Sequence, residues 1–206
     1  MVHSQSIHQD TKRDLEILTK ATALEGFYLA GGTGLAMHLG HRESIDLDFF
    51  RQEAFSEDQL LATISPLGKY ELDKKEKGTL VGRFNSTLLS TFHYPYSLLE
   101  ETLKWEGIEI ASVIDIACMK LDAVASRGTK KDFVDLYFIT HEGKYSLESM
   151  LEAFERKFAK VQYNLMHIKK SLVYFADAES DPMPKMHEPI DWAKVKSYFE
   201  KEVPKL

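Results

Sequence analysis

Cysteine is nearly absent. The 206 residues contain one, Cys118, so no disulfide can close within the chain. Nothing in cysteine usage points to an oxidising compartment. Cys118 stands in the apolar run IDIACMKL and is expected to be a small buried hydrophobe. Prolines number six, and three of them fall in DAESDPMPKMHEP, which reads as a loop. Long apolar runs are missing, since none approaches the about 18 residues of a membrane helix. MVHSQSIHQDTKRDL has no apolar core of a signal peptide. A cytoplasmic protein, without a membrane partner, is the expectation. An excess of base is missing too: 26 Lys and Arg face 32 Asp and Glu, giving a formal charge of −6. That argues against a general polyanion binder, whose affinity rests on neutralising phosphates. It says little about one small anionic ligand, because local lysines and bound metal reverse the local field. Paired histidines are scarce. His38 and His41 have helix-like spacing, but no third ligand accompanies them.

Hydrophobic periodicity organises what is present. Leu15, Ile17, Leu18, Ala21 and Leu24 recur at helical spacing over 11–24, and Gly26 ends that run. FYLAGG reads as a buried strand closed by a glycine turn. TGLAMHLG reads as a short helix opening at Thr33 and closing at Gly40. SIDLDFF alternates as a second strand, and 56–64 reads as a helix ended by Pro66 and Gly68. KYELDKKEK, TLVGRF and TLLSTFHY are β-like, with Gly78 as a hairpin turn, and IEIAS is a further short strand. From Ser112 the pattern is helical: VIDIACMKLDAVASR, KKDFVDLYFITHE, LESMLEAFERKFA, YNLMHIKKSLVYFA and DWAKVKSYFEKEV. The fold class is α+β: a mixed α/β part over residues 1–111, then a helical lobe over 112–206, in one two-lobed molecule.

The chemistry centres on two short motifs. Asp46 and Asp48 lie two apart on a strand and so share a face. Like charges there repel, and aspartate is disfavoured in strands. A magnesium ion, which takes one or two carboxylates and substrate phosphates, would offset that cost; the alternative is an exposed acidic strand edge. Gly31, Gly32 and Thr33 form the second motif. A strand that runs into Gly-Gly and opens a helix aims backbone N–H groups and the helix dipole at an anion. Thr33 is expected to cap the helix and to offer its hydroxyl; the alternative is a plain corner. No Gly-Lys-Ser/Thr follows, so this is not a Walker loop. The two motifs in succession bring a phosphate cradle and an acid pair to one cleft.

Further residues are candidates around this centre. Arg42 is placed to reach a triphosphate or a carboxylate. Lys120 and Arg127 lie seven apart on one helix face, and Asp132 and Asp135 three apart on the next helix. Thr129 and Asp132 have loose capping-box spacing. Asp135 sits between Val134 and Leu136 and wants a cationic partner. His93, Tyr94 and Tyr96, around Pro95, either stack on a base or pack. Asp177, Glu179 and Asp181 read as a solvated loop.

At this point the residues resemble a known family. YLAGGTGLAMHLGHRESIDLDFF resembles the first motif of nucleotidyltransferases of the DNA polymerase β type. DIACMKLDAVASRGTKKDFVDLYF resembles the second block of the AbiEii/AbiGii toxin branch, and LVYFADAE and the later DW are similar to it as well. The resemblance covers residues 24–202. It implies a nucleotidyltransferase fold, with a small mixed sheet, flanking helices and a C-terminal helical lobe. It implies NTP as substrate, Mg²⁺ or Mn²⁺ as cofactor, an acceptor such as tRNA or another RNA, and a cognate antitoxin protein. On that match Gly32 and Thr33 belong to the phosphate turn, Asp46 and Asp48 to the metal pair, and Lys120 to a basic active-site position. Asp132 and Asp135 fall in K-D-x-x-D-L as candidate base or positioning groups. One departure stands out: the superfamily sets a third carboxylate on a later strand, here near Ser90, and no acid occurs from Gly78 to Leu99. A nucleotide-binding protein without catalysis on the same scaffold is the alternative that this departure supports.

Overall fold

The computed structural model describes residues 2–141 and 145–206. These form two compact units that divide between Ser112 and Val113. The first unit is built on a seven-stranded sheet of order β3-β4-β5-β2-β1-β7-β6. Its strands are β1 (Tyr28–Leu29), β2 (Leu47–Arg51), β3 (Tyr70–Glu76), β4 (Thr79–Phe84), β5 (Thr87–His93), β6 (Leu103–Trp105) and β7 (Ile108–Ile110). Helices α1 (Gln9–Lys20), α2 (Gly31–Leu39) and α3 (Glu57–Ile64) accompany them. β2 runs parallel to β5, and β1 parallel to β7; the other pairs are antiparallel.

Alternation in β2 decides which face is core. Leu47 and Phe49 are buried to 0% exposure and join Leu29, Leu80, Leu89 and Ile110 in one cluster with Leu15 and Leu18 of α1 and Leu60 and Ile64 of α3. Residues in register share a face, so Asp48, Ser90, Phe50, Phe92 and Tyr28 belong to the opposite face. Asp14 of α1 fixes the β4–β5 hairpin. Its buried carboxylate accepts from Asn85 Nδ2 at 2.7 Å and from Thr87 Oγ1 at 2.7 Å.

Several boundaries differ from those expected. α1 begins at Gln9, because the His8 side chain accepts from Asp10 N–H, and ends at Lys20, ahead of Thr22 at φ +50°. α2 opens at Gly31 rather than Thr33, with Ala30 as the N-cap and no side-chain cap. The predicted strand FYLAGG therefore narrows to Tyr28–Leu29. Gly78, at φ +74°, does turn the β3–β4 hairpin. β6 is a strand that composition did not reveal.

The second unit is helical: α4 (Val113–Ser126), α5 (Lys130–His141), α6 (Leu147–Lys157), α7 (Leu165–Ser171) and α8 (Trp192–Glu202). Glu142, the expected last residue of the α5 segment, lies outside the described residues. α4 packs on α5, α6 and α7, and α5 on α8. Phe133 of α5 meets Phe175, Trp192 and Phe199 with ring centroids 5.1, 5.9 and 5.6 Å apart. Of the acids expected to be a solvated loop, Asp177 and Glu179 are exposed as expected, and Glu179 and Asp181 also make bonds that tie the unit together. Asp181 Oδ2 accepts from Lys130 N–H at 3.0 Å and so caps α5. Glu179 accepts from Lys196 Nζ at 2.6 Å and Trp192 Nε1 at 3.2 Å. Lys157 and Asp115 make a second buried pair, 2.6 Å apart with both side chains at 0% exposure.

Cys118 is buried on α4, as expected. Burial pushes its thiol up to about 12. Only the thiolate is a competent nucleophile. Iodoacetamide at about pH 8 should therefore leave native Cys118 unmodified and alkylate it fully in denaturant. Rapid alkylation of the native protein, read by mass spectrometry, would contradict this packing of α4.

Candidate active site

The site is assembled on the sheet face that Asp48 occupies. Asp46 precedes β2, and the alternation of burial continues back through it: Asp46, Asp48 and Phe50 are half-buried, while Leu47 and Phe49 are buried. Ser90 of β5 is the register partner of Asp48. It is buried, and it is the hydroxyl that stands where a third carboxylate was sought.

The glycine turn meets this strand directly. Ala30 N–H donates to the Asp48 carbonyl at 3.0 Å. The first intrahelical bond of α2 is Gly34 N–H to the Ala30 carbonyl at 2.9 Å. The N–H groups of Gly31, Gly32 and Thr33 precede it and have no intrahelical acceptor. Gly31 adopts φ +61°, and a Cβ there would lie 2.7 Å from Asp48 Oδ2. At Gly32 a Cβ would collide with the guanidinium of Arg42, a residue 5% exposed. Arg42 Nη1 also donates to the Glu43 carbonyl at 3.1 Å. Gly31 thus lies against Asp48, and Gly32 against Arg42.

Thr33 behaves differently. Its side chain is 1% exposed, and its hydroxyl is hydrogen-bonded to Ser44 Oγ at 2.8 Å and to the Asp46 carbonyl. It neither caps α2 nor offers its hydroxyl outward. It fastens the helix to the chain that leads into Asp46. His38 Nε2 is paired with the Ala111 carbonyl at 2.8 Å. Among the described residues no group of three or more His, Cys, Asp or Glu is placed to hold a metal. The acid pair must therefore be judged as a two-carboxylate site.

An aromatic row continues along the same face. Phe50 meets Tyr28, Phe92 and Tyr94 with centroids 6.1, 5.3 and 5.5 Å apart, and Tyr94 meets Tyr96 at 4.8 Å. Of this row the sequence suggested only Tyr94 and Tyr96; strand pairing adds the rest.

In the helical unit, the second block forms an ion cluster. Lys120 Nζ is 2.8 Å from Asp132 Oδ1 and 2.6 Å from Asp135 Oδ2. Arg127 donates to Asp132 through Nε at 2.9 Å and Nη2 at 3.1 Å, and Thr129 Oγ1 donates at 2.6 Å. Both carboxylates are 0% exposed and Lys120 is 4% exposed. Burial pushes the Asp132 carboxyl up, but Lys120 and Arg127 outweigh burial and hold it well below the ordinary range. Asp135 has the cationic partner that its apolar neighbours demanded.

The Gly31 geometry predicts a specific defect. Gly31→Ala forces an L residue into left-handed backbone and presses a methyl on the Asp48 carboxylate. Nucleotide binding should weaken at least about 100-fold, whereas Gly32→Ala, which has no left-handed backbone to strain and displaces the Arg42 guanidinium rather than Asp48, should cost less. Equal binding by Gly31→Ala and wild type, measured by calorimetry, would remove Gly31 from the site.

A protein of Aquifex aeolicus described as uncharacterized is 36% identical over 201 residues, covering 93% of this chain and 95% of its own. The crystal structure of JHP933 from Helicobacter pylori is similar at a TM-score of 0.57 and 18% identity, covering all of this chain and 93% of that one. A structure described as a putative nucleotidyltransferase from H. pylori has a TM-score of 0.60 at 17% identity, covering 98% and 94%. MenT4, a nucleotidyltransferase toxin of Mycobacterium tuberculosis, has 0.55 at 14%, covering 97% and 86%. These likenesses establish the nucleotidyltransferase fold. The family model described as nucleotidyl transferase AbiEii toxin, type IV toxin–antitoxin system, matches residues 13–205, and the chain accordingly belongs to that family of nucleotidyltransferases.

Proposed function

We propose that this protein transfers a nucleotidyl group from an NTP to an RNA acceptor, as the toxin of a toxin–antitoxin pair. The observation that supports the reading is the closeness of Gly31 to the Asp48 side chain, at the turn where the N–H groups of Gly31, Gly32 and Thr33 precede the first intrahelical bond of α2. The donor set is all oxygen: Asp46, Asp48 and the neighbouring Ser90 hydroxyl. It suits Mg²⁺ or Mn²⁺, which accept one or two carboxylates and complete their shell with substrate phosphates and water. When bound, such an ion neutralises charge on the reacting phosphates.

The chain's own groups do the rest. The N–H groups of Gly31, Gly32 and Thr33 hold phosphate oxygens at the positive end of α2. The Arg42 guanidinium, seated at Gly32, adds a fixed cation. In the helical unit Lys120, held between Asp132 and Asp135, keeps the basic role that the family resemblance gives it, and the two acids are positioning residues in this reading. An acceptor oxygen attacks the α-phosphorus; its P–O bond forms as the bond to the β-phosphate oxygen breaks, and pyrophosphate leaves. The acceptor proton passes to water, since a serine hydroxyl at position 90 is no base at neutral pH. Preorganised charge supplies most of the rate.

Ser90 favours a second reading, nucleotide binding without transfer. Incubating the protein with each α-labelled NTP, Mg²⁺ and total RNA separates the two. Label on RNA is expected. Saturable nucleotide binding with unlabelled RNA would leave the second reading, and free inorganic phosphate would indicate hydrolysis instead.

A further inference from the structure

The described residues expose six large apolar side chains, and four of them lie within residues 161–174: Val161, Met166, Val173 and Tyr174. The same stretch is cationic. Residues 156–176 contain Arg156, Lys157, Lys160, Lys169 and Lys170 and no Asp or Glu, in a chain where acids outnumber bases. Lys157 is spent on Asp115. The others have no carboxylate within their own segment.

Burial separates the two sides of this segment. Ile168 and Leu172 are 2% and 0% exposed, and His167 Nε2 is paired with the Ala125 carbonyl of α4 at 3.2 Å. Val173 N–H donates to the Lys170 carbonyl and Tyr174 N–H to that of Ser171, so the turns of α7 continue past its end. Met166, Lys170, Val173 and Tyr174 follow at intervals of four, three and one. They form a stripe on the side away from Ile168 and Leu172. Met166 and Tyr174 are 59% and 57% exposed.

We infer that this stripe docks the single-stranded RNA that accepts the nucleotide, an inference that rests on the acceptor being RNA. Cations uninterrupted by acids, in an otherwise acidic protein, complement a phosphate backbone. An exposed tyrosine ring among them gives a base a face to stack on, which is how single strands are held without sequence readout. A lipid surface fits less well, because α7 is only seven residues long and offers little apolar area for insertion.

The test uses the full chain and a fluorescein-labelled single-stranded RNA of about 12 nucleotides, followed by anisotropy at several salt concentrations. Lys169→Glu with Lys170→Glu, both on α7, should weaken binding at least about 10-fold and flatten the log K against log salt slope by about 1.4. Tyr174→Ala should weaken it roughly 10-fold, and Tyr174→Phe should restore it. Binding of a fluorescent ATP analogue with Mn²⁺ should be unchanged in all three. If the charge-reversed protein melts early, the Lys169→Gln, Lys170→Gln pair replaces it, with the same loss expected. RNA affinity equal in variants and wild type, or absent from the wild type while the ATP analogue binds, overturns the stripe and leaves the proposed function standing. Stripe-dependent RNA binding without any nucleotide binding keeps the surface and removes the proposed function. Unchanged RNA affinity with loss of a bound acidic protein makes the stripe a protein-docking face and overturns the inference.

Discussion

Replacing Asp46 and Asp48 together by asparagine is expected to abolish nucleotidyl transfer, by about 10³-fold or more. Asparagine keeps the shape and removes the charge that a divalent ion needs. The two half-buried carboxylates lie two residues apart at the start of β2, and like charges so close in sequence are expected to repel. The melting temperature should therefore hold or rise, with a change within about 1 kcal/mol. The measurement pairs label transfer to RNA with thermal unfolding of the same sample. Full transfer by the double variant would place the chemistry elsewhere. Loss of transfer together with an early melt would show only that the β2 region had been disrupted.

Lys120→Ala is expected to be the most destabilising single change. It takes away the cation 2.6 Å from Asp135 and 2.8 Å from Asp132, both fully buried. Arg127 still serves Asp132 through two hydrogen bonds. Removing one partner of a buried pair costs about 3–5 kcal/mol, a fall of roughly 10 °C in Tm for a chain of this size. Lys120→Met with Asp135→Asn should recover much of that loss, because no charge is stranded. Transfer per folded molecule, measured at low temperature, decides what Lys120 does. A retained rate would make the cluster purely structural. A rate still lost in the stabilised double variant would give Lys120 a role in the reaction beyond stability.

The same cluster fixes a pH dependence. The Asp132 carboxyl is held below its ordinary 3.8 because Lys120 and Arg127 outweigh the effect of burial. A carboxyl depressed on folding contributes fully above its unfolded pKa, and the contribution is lost as pH falls through the folded value. Stability owed to this group should stay flat from about pH 9 to about pH 5 and decline only below about pH 4. The decline should be shallower in Lys120→Ala, and urea titrations across that range would reveal it. An equal decline in both proteins would detach the acid transition from Asp132.

The centre of the site was legible because it is local. Gly-Gly before a helix and Asp-x-Asp on an alternating strand are short patterns, and twelve residues between Thr33 and Asp46 leave the chain little freedom. The Ser90 departure was legible too, and register placed it beside Asp48. Direction and distance were not. Thr33 reads as a cap, yet Gly31 at φ +61° opens the helix two residues earlier and turns the hydroxyl towards Ser44 and Asp46. Lys120 reads as a position on a helix face; that it sits between two buried carboxylates depends on how α5 packs on α4. β6, Leu103–Trp105, is as short as β7, Ile108–Ile110, but it lacks the β-branched residues that made IEIAS readable as a strand. The row from Tyr28 through Phe50 to Phe92 is written on three separated segments and exists only once β1, β2 and β5 are paired.

Asp181 caps α5 from fifty-one positions downstream, and Trp192 and Phe199 close over Phe133 from farther still. Synthesis delivers these parts in the wrong order for folding. When α5 emerges from the ribosome its first turn is uncapped and Phe133 has no ring to meet, and at about 5–20 residues per second the partners arrive seconds later. The helical unit therefore has a built-in delay, during which α4 and α5 are accessible to proteases and chaperones. Protease resistance of ribosome-bound chains of increasing length should appear only after Phe199 has cleared the exit tunnel. Resistance before Asp181 has emerged would mean that α4, α5 and α6 fold without their clasp.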